Sequence, residues 1–347
     1  MEKIVVLAGG SSSEKDVSVK SGLRVASALC SLGIKTALAD PTEEIDLSRK
    51  HFFEDFNRLN VFFKKNQSPP PSFSEKPTEA VAVRNSSHTH FCEEYITESV
   101  LELCRRADAV FITLHGGNGE NGKLQALFDC LGIKYFGSGH EGSACAMNKL
   151  LSKRIFESVG IPTPLSTVYK HGQKDAPTPP RYPCVVKPAS EGSSVGVTLV
   201  KNPEELIAAV GVALKSCDTV LLETEIKGRE ITVGILNDTP LAVTEIIPKD
   251  GFYDYENKYT AGKTEEITPA KISPRVTEKA LRLAKRTHTA LGLSNYSRID
   301  MIIENGTGRI YVLEANTIPG MTETSLLPLA AEYRGIGFAE LCGKMAK

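Results

Sequence analysis

Four side chains near the C-terminal end of the chain have the types and spacing for phosphate and carboxylate chemistry. Arg298 and Asp300 stand two residues apart in one run, RIDMIIE, and Glu314 and Asn316 stand two apart in another, YVLEAN. Both runs read as β-strands, residues 297–304 and 309–316, joined by a turn over Asn305-Gly306-Thr307-Gly308. Side chains two apart on a strand share a face. Antiparallel pairing then gathers Asp300, Glu314 and Asn316 as three oxygen donors beside one guanidinium. Hard oxygen ligands without His or Cys suit Mg²⁺, and an arginine beside them suits a phosphate or a developing oxyanion. A plain amphipathic hairpin with solvated charges has the same spacing. The Ile318-Pro319-Gly320 turn and residues 322–326 add backbone donors at the same end and favour the chemical reading.

A second constellation lies earlier. The stretch Glu191-Gly192-Ser193-Ser194-Val195-Gly196 falls between predicted strands at 184–187 and 197–200. Small residues let backbone N–H groups come close to a phosphate, and Lys187 puts a point charge where α/β-phosphates would lie. Glu223, Glu225 and Glu230 flank a later strand connection. Acids there accept hydrogen bonds from ribose hydroxyls or an adenine amino group; solvated surface acids are the alternative the spacing leaves open.

These groups need elements to position them. A buried-type strand at 4–8, a glycine-rich turn and a helix at 17–32 lead to a strand at 36–40, a β-loop-α-β start that predicts a parallel sheet. From about 41 to 95 the pattern dissolves into turn-rich sequence, read as a surface insertion with one amphipathic piece near 51–63. A helix at 95–106, a strand at 109–114, a glycine-rich loop opened by His115, a short strand at 134–136 and a single helix at 142–159 follow. Then come strands at 184–187, 197–200 and 220–223 with a helix at 203–215. Strands at 230–236 and 241–247, a polar loop at 249–268 and a helix at 274–291 lead into the hairpin. Boundaries near 145 and 228 divide the chain into three domains, 1–145, 146–228 and 229–347.

Composition narrows the class. The chain has 347 residues, 41% hydrophobic and 24% charged, which are globular values. A net charge of −1 offers no footprint for nucleic acid or an anionic membrane, and no apolar run nears the roughly 20 residues a spanning helix needs. Eight scattered cysteines without a C-x-x-C pair, and a strand that begins directly after Met1-Glu2-Lys3, read as a reduced, cytoplasmic protein. Two literal G-x-G-x-x-G matches, at 117–122 and 137–142, are weak fingerprints in a chain with 28 glycines. Two near-Walker stretches, GNGENGKL and NKYTAGKT, each lack a required residue.

Taken with Lys149 as a second phosphate-facing lysine, these features resemble the D-alanine–D-alanine ligase family of ATP-grasp enzymes. The motifs are GGSSSEKDVSVKSG, LHGGNGENG, MNKLLSKRIFESVGIPTP, VVKPASEGSSVGV, LLETEIKGREITVGIL, YDYENKYTAG, SRIDMIIE and LEANTIPGMTETSLLP. They run along nearly the whole chain in one order, weakest at 41–95. The resemblance implies an α/β, three-domain ATP-grasp fold with nucleotide bound between the central and C-terminal domains. It implies that ATP joins two D-alanines through an acylphosphate for peptidoglycan precursors, with Mg²⁺ or Mn²⁺, two ions, and a homodimer; an ATP-grasp ligase that takes D-lactate or D-serine as acceptor is the alternative. Lys149, Lys187 and Lys258 correspond to ATP contacts, and Glu223, Glu225, Ile226 and Glu230 to the adenosine edge. Asp300, Glu314 and Asn316 correspond to the metal ligands. Glu14 corresponds to the seat of the first ammonium, Arg298 and the Gly320 N–H to the oxyanion hole, and Ser325 with the Leu326 N–H to the seat of the second carboxylate. Glu14, Ser193 and Tyr259 correspond to a latch between flaps. His115 is read as an orienting hydrogen bonder near the first substrate or as a packed structural histidine, rather than as a general base. One departure is Asn121, where the family's loop usually carries Asp.

The latch generates a prediction. Tyr259→Phe removes one hydroxyl and leaves the acid end of the chain short of a partner, at a cost of about 1–3 kcal/mol. In a competition between D-alanine and D-lactate, with products resolved by mass, the depsipeptide share of product should rise in the variant. An unchanged ratio removes the role given to Tyr259.

Overall fold

The computed structural model describes residues 2–47, 60–62, 95–248 and 264–347. The first sheet is parallel, in the order β3-β2-β1-β4, from β1 (Lys3–Leu7), β2 (Lys35–Ala39), β3 (Asn60–Phe62) and β4 (Ala109–Ile112). Its strands are short apolar runs because helices cover both faces. The crossovers are α1 (Lys15–Ser31) and α2 (Glu98–Arg105). Thr97 starts α2 by accepting the Val100 N–H. The expected insertion is partly corrected here. Asn60–Phe62 pairs in parallel with β2 and extends the sheet, and Ile45 is buried, its N–H donating to Ser99 Oγ at 2.9 Å. The amphipathic piece near 51–63 otherwise lies outside the described residues, as do 63–94.

After β4 come α3 (Gly117–Glu120) and α4 (Lys123–Leu131). The strand expected at 134–136 is a single bridge, Val110 to Tyr135. The helix expected at 142–159 is two, α5 (His140–Met147) and α6 (Lys149–Ser158). Asn148 breaks it with φ −85° and ψ 97° and then caps α6 by accepting from Leu151 N–H. An Asx cap competes successfully with helix continuation at such a position, and the break makes Lys149 the first residue of α6.

The second sheet, in the order β5-β8-β6-β7, is antiparallel: β5 (Ser166–Lys170), β6 (Cys184–Pro188), β7 (Thr198–Val200) and β8 (Thr219–Thr224), backed by α7 (Pro203–Ala213). Sequence pattern missed β5 because none of its residues is fully buried and no alternation marks it. Val186, Val200, Leu206, Val210 and Leu222 give this sheet its own core.

The third sheet is antiparallel, in the order β11-β10-β9-β12-β13: β9 (Gly228–Leu236), β10 (Thr239–Pro248), β11 (Thr264–Ile267), β12 (Tyr296–Glu304) and β13 (Ile310–Asn316). The polar loop expected at 249–268 therefore ends in a strand; its residues 249–263 lie outside the described set. Asn237 and Asp238, both left-handed at φ 47° and 60°, turn β9 into β10. α8 (Pro274–Ala290), α5 and α6 cover one face, with Phe156, Ile161, Leu283 and Ile299 in one cluster. α9 (Leu326–Tyr333) and α10 (Phe338–Met345) pack Leu327, Leu341 and Met345 into a cluster shared with Ile4, Val25 and Leu38 of the first sheet's layer. Tyr296 stacks on Phe111 at 6.2 Å between centroids and completes that joint. The first and third sheets thus share a core. Among the described residues no helix is long and apolar enough to cross a membrane.

Two glycines test this packing. A Cβ at Gly228 would lie 2.0 Å from the Ile303 carbonyl oxygen across the β9–β12 pair, whereas one at Gly211 on α7 meets nothing within 4 Å. Gly228→Ala should lower stability by about 1–3 kcal/mol. Gly211→Ala should raise it by roughly 0.5–1 kcal/mol. Thermal melts of the two variants check the pair.

Candidate active site

The hairpin pairs as its spacing implies, with Arg298 opposite Asn316 and Asp300 opposite Glu314. A bulge follows Asp300. The Asp300 carboxylate accepts four hydrogen bonds: from Arg298 Nε at 2.9 Å and Nη2 at 2.8 Å, from Asn316 Nδ2 at 2.9 Å and from Thr232 Oγ1 at 2.6 Å. Glu314 Oε2 lies 3.1 Å from Lys149 Nζ. The four expected side chains therefore meet, in an arrangement tighter than the sequence implies. Arg298 forks onto Asp300, and Asn316 turns its amide nitrogen toward the same acid. Among the described residues no three His, Cys, Asp or Glu side chains cluster for a metal. The donor set is two carboxylates and an amide whose oxygen reaches the acid by one terminal rotation. Such a set fits Mg²⁺ or Mn²⁺, which complete their shells with water and phosphate oxygens.

A cavity of about 480 Å³ opens between the second and third sheets. That is within the range of small-molecule sites. Lys149, Lys187, Glu223, Glu225, Ile226 and Glu230 all line it, as the motifs imply. Apolar walls from Val185, Ile246, Ile302 and Leu313 suit a planar base. Lys187 Nζ pairs with Glu223 Oε2 at 2.8 Å, and Lys153 Nζ lies 2.9 Å from Glu223 Oε1. Lys153 was not among the expected residues. It is buried and also donates to Thr163 Oγ1 at 2.9 Å and to the Pro164 carbonyl at 2.6 Å. Its signal was the four-residue spacing from Lys149, which puts both on one helix face. Burial works to raise the Glu223 carboxyl, but the two ammonium groups outweigh it and hold it below its ordinary value. Burial likewise lowers the Lys153 ammonium, with Glu223 acting against it.

A smaller pocket of about 80 Å³ adjoins the first, and Gly192 and Glu314 line both. Glu14, His115, Glu120, Arg298, Gly320 and Ser325 converge on it. Glu14 stands at the N-cap of α1, yet its carboxylate makes no cap bond. It accepts the Ser193 hydroxyl from across the molecule instead. Ser193 and Ser194 hold left-handed φ of 49° and 60°. A non-glycine pair in that region is strained and held by its surroundings. His115 is buried, with Nδ1 3.0 Å from the Ile318 carbonyl and Nε2 3.1 Å from Ser21 Oγ. A carbonyl can only accept, so Nδ1 carries the proton. Burial lowers the ring's pKa, with the Glu14 charge acting against it. With both nitrogens engaged, the ring orients its neighbours. A side chain at Gly320 would strike Ser325 Oγ at 2.7 Å. That hydroxyl accepts from Thr322 N–H at 2.8 Å and makes no cap bond to α9, so the first turn of α9 faces the pocket.

Glu120 accepts from the N–H groups of Gly116 at 3.0 Å and Ile318 at 3.3 Å. Burial, aided by the Glu14 charge, pushes it up to about 7. Asn121 stays within its own loop, donating to Asn118 Oδ1 at 3.2 Å and accepting from Lys123 N–H at 3.1 Å. Lys258 and Tyr259 lie outside the described residues.

Two antiparallel sheets closing on a nucleotide-sized cleft, whose end opens onto a smaller polar pocket, have the arrangement of an ATP-grasp ligase. Comparison with known proteins gives the family. The model for "D-ala D-ala ligase N-terminus" matches residues 3–138, and that for "D-ala D-ala ligase C-terminus" matches 155–347. The D-alanine–D-alanine ligase of Pediococcus pentosaceus is 39% identical over 344 residues, covering 98% of this chain and 95% of its own. That of Geobacter sulfurreducens is 46% identical over 237 residues, covering 67% and 75%. The crystal structure of the Bacillus anthracis D-alanine–D-alanine ligase complexed with ATP superposes with a TM-score of 0.74 at 26% identity, covering 100% of this chain and 96% of that one. The chain belongs to the D-alanine–D-alanine ligase family.

Glu120 gives a pH test. Its pKa is raised on folding, so its ionisation opposes the folded state. The native protein's advantage is complete below about 4.5, the ordinary Glu value, and is lost as pH climbs through about 7. Denaturant titrations from pH 4.5 to 8 should show the wild type losing stability relative to Glu120→Gln. Parallel pH profiles contradict the assignment.

Proposed function

We infer that this protein uses ATP to join two D-alanines into D-alanyl-D-alanine, the dipeptide of peptidoglycan precursors. The carrying observation is the continuity of the two cavities, which share Gly192 and Glu314 at their junction. A phosphoryl group at the end of the larger cavity is then adjacent to a carboxylate in the smaller one.

A free carboxylate is a poor electrophile, so phosphorylation must come first, and the amine then displaces phosphate from the acylphosphate. Lys149 and Lys187 hold the ATP phosphates in this reading, with Lys258 beside them. Glu223, Glu225 and Glu230 take the adenosine hydrogen bonds, and Ile226 packs on the ring. Lys187 exchanges Glu223 for phosphate when ATP enters, and Lys153 remains as the acid's counter-ion. Asp300, Glu314 and Asn316 would hold Mg²⁺ or Mn²⁺, two ions, which when bound would supply positive charge against the phosphate oxygens. Glu14 receives the ammonium of the first D-alanine, and neutral His115 holds the loop around it. Arg298, steadied by Asp300, and the Gly320 N–H face the tetrahedral oxyanion; one such donor is worth about 3–4 kcal/mol. Ser325 and the Leu326 N–H seat the second carboxylate at the start of α9. The Ser193–Glu14 contact, with Tyr259, closes the flap so that the acylphosphate meets amine before water.

The three domains are 1–145, 146–228 and 229–347, with α6 linking the cleft's roof to its floor. A cytoplasmic homodimer without nucleic-acid or membrane partners completes the reading; scattered cysteines support the compartment and the near-zero net charge the absence of those partners, while the dimer rests on family resemblance.

Purified protein should release phosphate from ATP with D-alanine and not with L-alanine, and mass analysis should find the dipeptide. Asp300→Asn should lower kcat at least about tenfold, because it weakens both the metal set and the clamp on Arg298. Stereo-indifferent phosphate release, or a fully active Asp300→Asn, overturns the reading.

A further inference from the structure

The amino-acid pocket contains one carboxylate with no role so far. Glu266 lies on β11, the edge strand of the third sheet, opposite Ile246 of β10. It lines the 80 Å³ pocket together with Arg298, Ser325 and Leu326. Burial pushes its carboxyl up, and the Arg298 guanidinium pulls it back, so the two groups feel one another across the pocket.

The other acids of that pocket are engaged. Glu14 accepts the Ser193 hydroxyl. Glu120 is held by the amides of Gly116 and Ile318. Glu314 pairs with Lys149. Among the described residues no hydrogen bond or ion pair engages Glu266 beyond the field of Arg298. A half-buried carboxylate lining a small polar cavity, with no hydrogen-bond partner of its own among the described residues, is a seat for a cation.

The acceptor amino acid supplies that cation. If its carboxylate rests on the first turn of α9, its ammonium must find an anion within the same small pocket or stay buried and unpaired. Glu14 stands at the start of α1, on the wall that seats the first amino acid. Glu266, on β11, lines the same pocket as Ser325 and Leu326 at the start of α9.

We propose that Glu266 receives the ammonium of the second D-alanine and thereby makes this enzyme prefer an amine over a hydroxyl acceptor. The proposal rests on the ligase reading and names its acceptor-selecting residue. A hydroxy acid has the same carboxylate and shape but no positive charge. It reaches the α9 end while leaving the Glu266 charge uncompensated, so the acid rejects it as well as attracting the amine.

The test uses the full chain and three variants, Glu266→Gln, Glu266→Leu and Glu266→Asp, with folding checked by circular dichroism. Initial rates at saturating ATP and Mg²⁺ resolve a KM for each D-alanine. Gln and Leu should raise the second KM at least about tenfold, leaving the first KM and the KM for ATP unchanged, and Asp should restore much of the loss. In competition with D-lactate, the depsipeptide share should rise in the Gln and Leu variants. Folded variants with unchanged second KM and product ratio overturn the proposal. So does a variant whose defect is in ATP or Mg²⁺ requirement, which moves Glu266 to the nucleotide side. A wild type that releases no phosphate with D-alanine overturns the ligase reading itself and is separately visible.

Discussion

The site is built around the Asp300 carboxylate and the four hydrogen bonds it accepts from Arg298, Asn316 and Thr232. Its position is fixed by backbone: β12 lies between β9 and β13, so Asp300 is paired on both sides, with Thr232 and with Glu314. A charge this enclosed is tolerable only when its lone pairs are met, and removal of a partner from such a group costs several kcal/mol. The same requirement aims Arg298. A guanidinium forked onto an acid has one orientation, whereas an arginine in solvent has many. The central strand thus sets both the oxygens proposed for the metal and the donor proposed for the oxyanion by one constraint.

The nucleotide cleft applies the same principle with opposite sign. Two buried ammonium groups, Lys153 and Lys187, share the Glu223 carboxylate. Lys153 is also tied to Thr163 and Pro164, at the entry to the second sheet. Among the described residues Lys187 has no comparable second anchor, so it is the member that would transfer to phosphate at small cost in the proposed binding mode. The ion cluster keeps the cleft charged and ordered before ATP arrives, which lowers the reorganisation that binding demands.

The cores are divided in a way that serves the reaction. The first and third sheets are joined by Tyr296, Phe111 and the apolar faces of α9 and α10, so most of the smaller pocket's wall sits on one body, and only Gly192 and Ser193 reach it from the second sheet's loop. The second sheet buries its apolar side chains among its own. Movement of that sheet over the cleft disturbs little apolar area, while movement within the joined pair would open a core. Closure by the second sheet would therefore be the cheaper motion, and Ser193 on its loop is the residue that touches Glu14 across the cleft.

Much of this was written in local pattern. The hairpin's period-two spacing placed Arg298, Asp300, Glu314 and Asn316 on one face, the apolar runs marked β1, β2 and β4, and the Gly/Ser stretch after Lys187 marked the loop that lines both cavities. Local pattern works there because strand periodicity and turn chemistry are properties of a few adjacent residues. It failed where the deciding partner is distant or weakly patterned. The edge strands β3, β5 and β11 carry little alternation, and Asn148 split a helix by using its own side chain as a cap. Nothing adjacent to Lys153 marks it as buried; its partner Glu223 lies seventy positions on. Glu14 and Ser193 have no relation along the chain, and Glu266 is one acid in an unremarkable TEEIT. Sequence determined which groups exist and which face each occupies, because those follow from local geometry. Tertiary structure alone decided which charges share a pocket and which are already paired, because electrostatic energy depends on distance and burial, not on order along the chain.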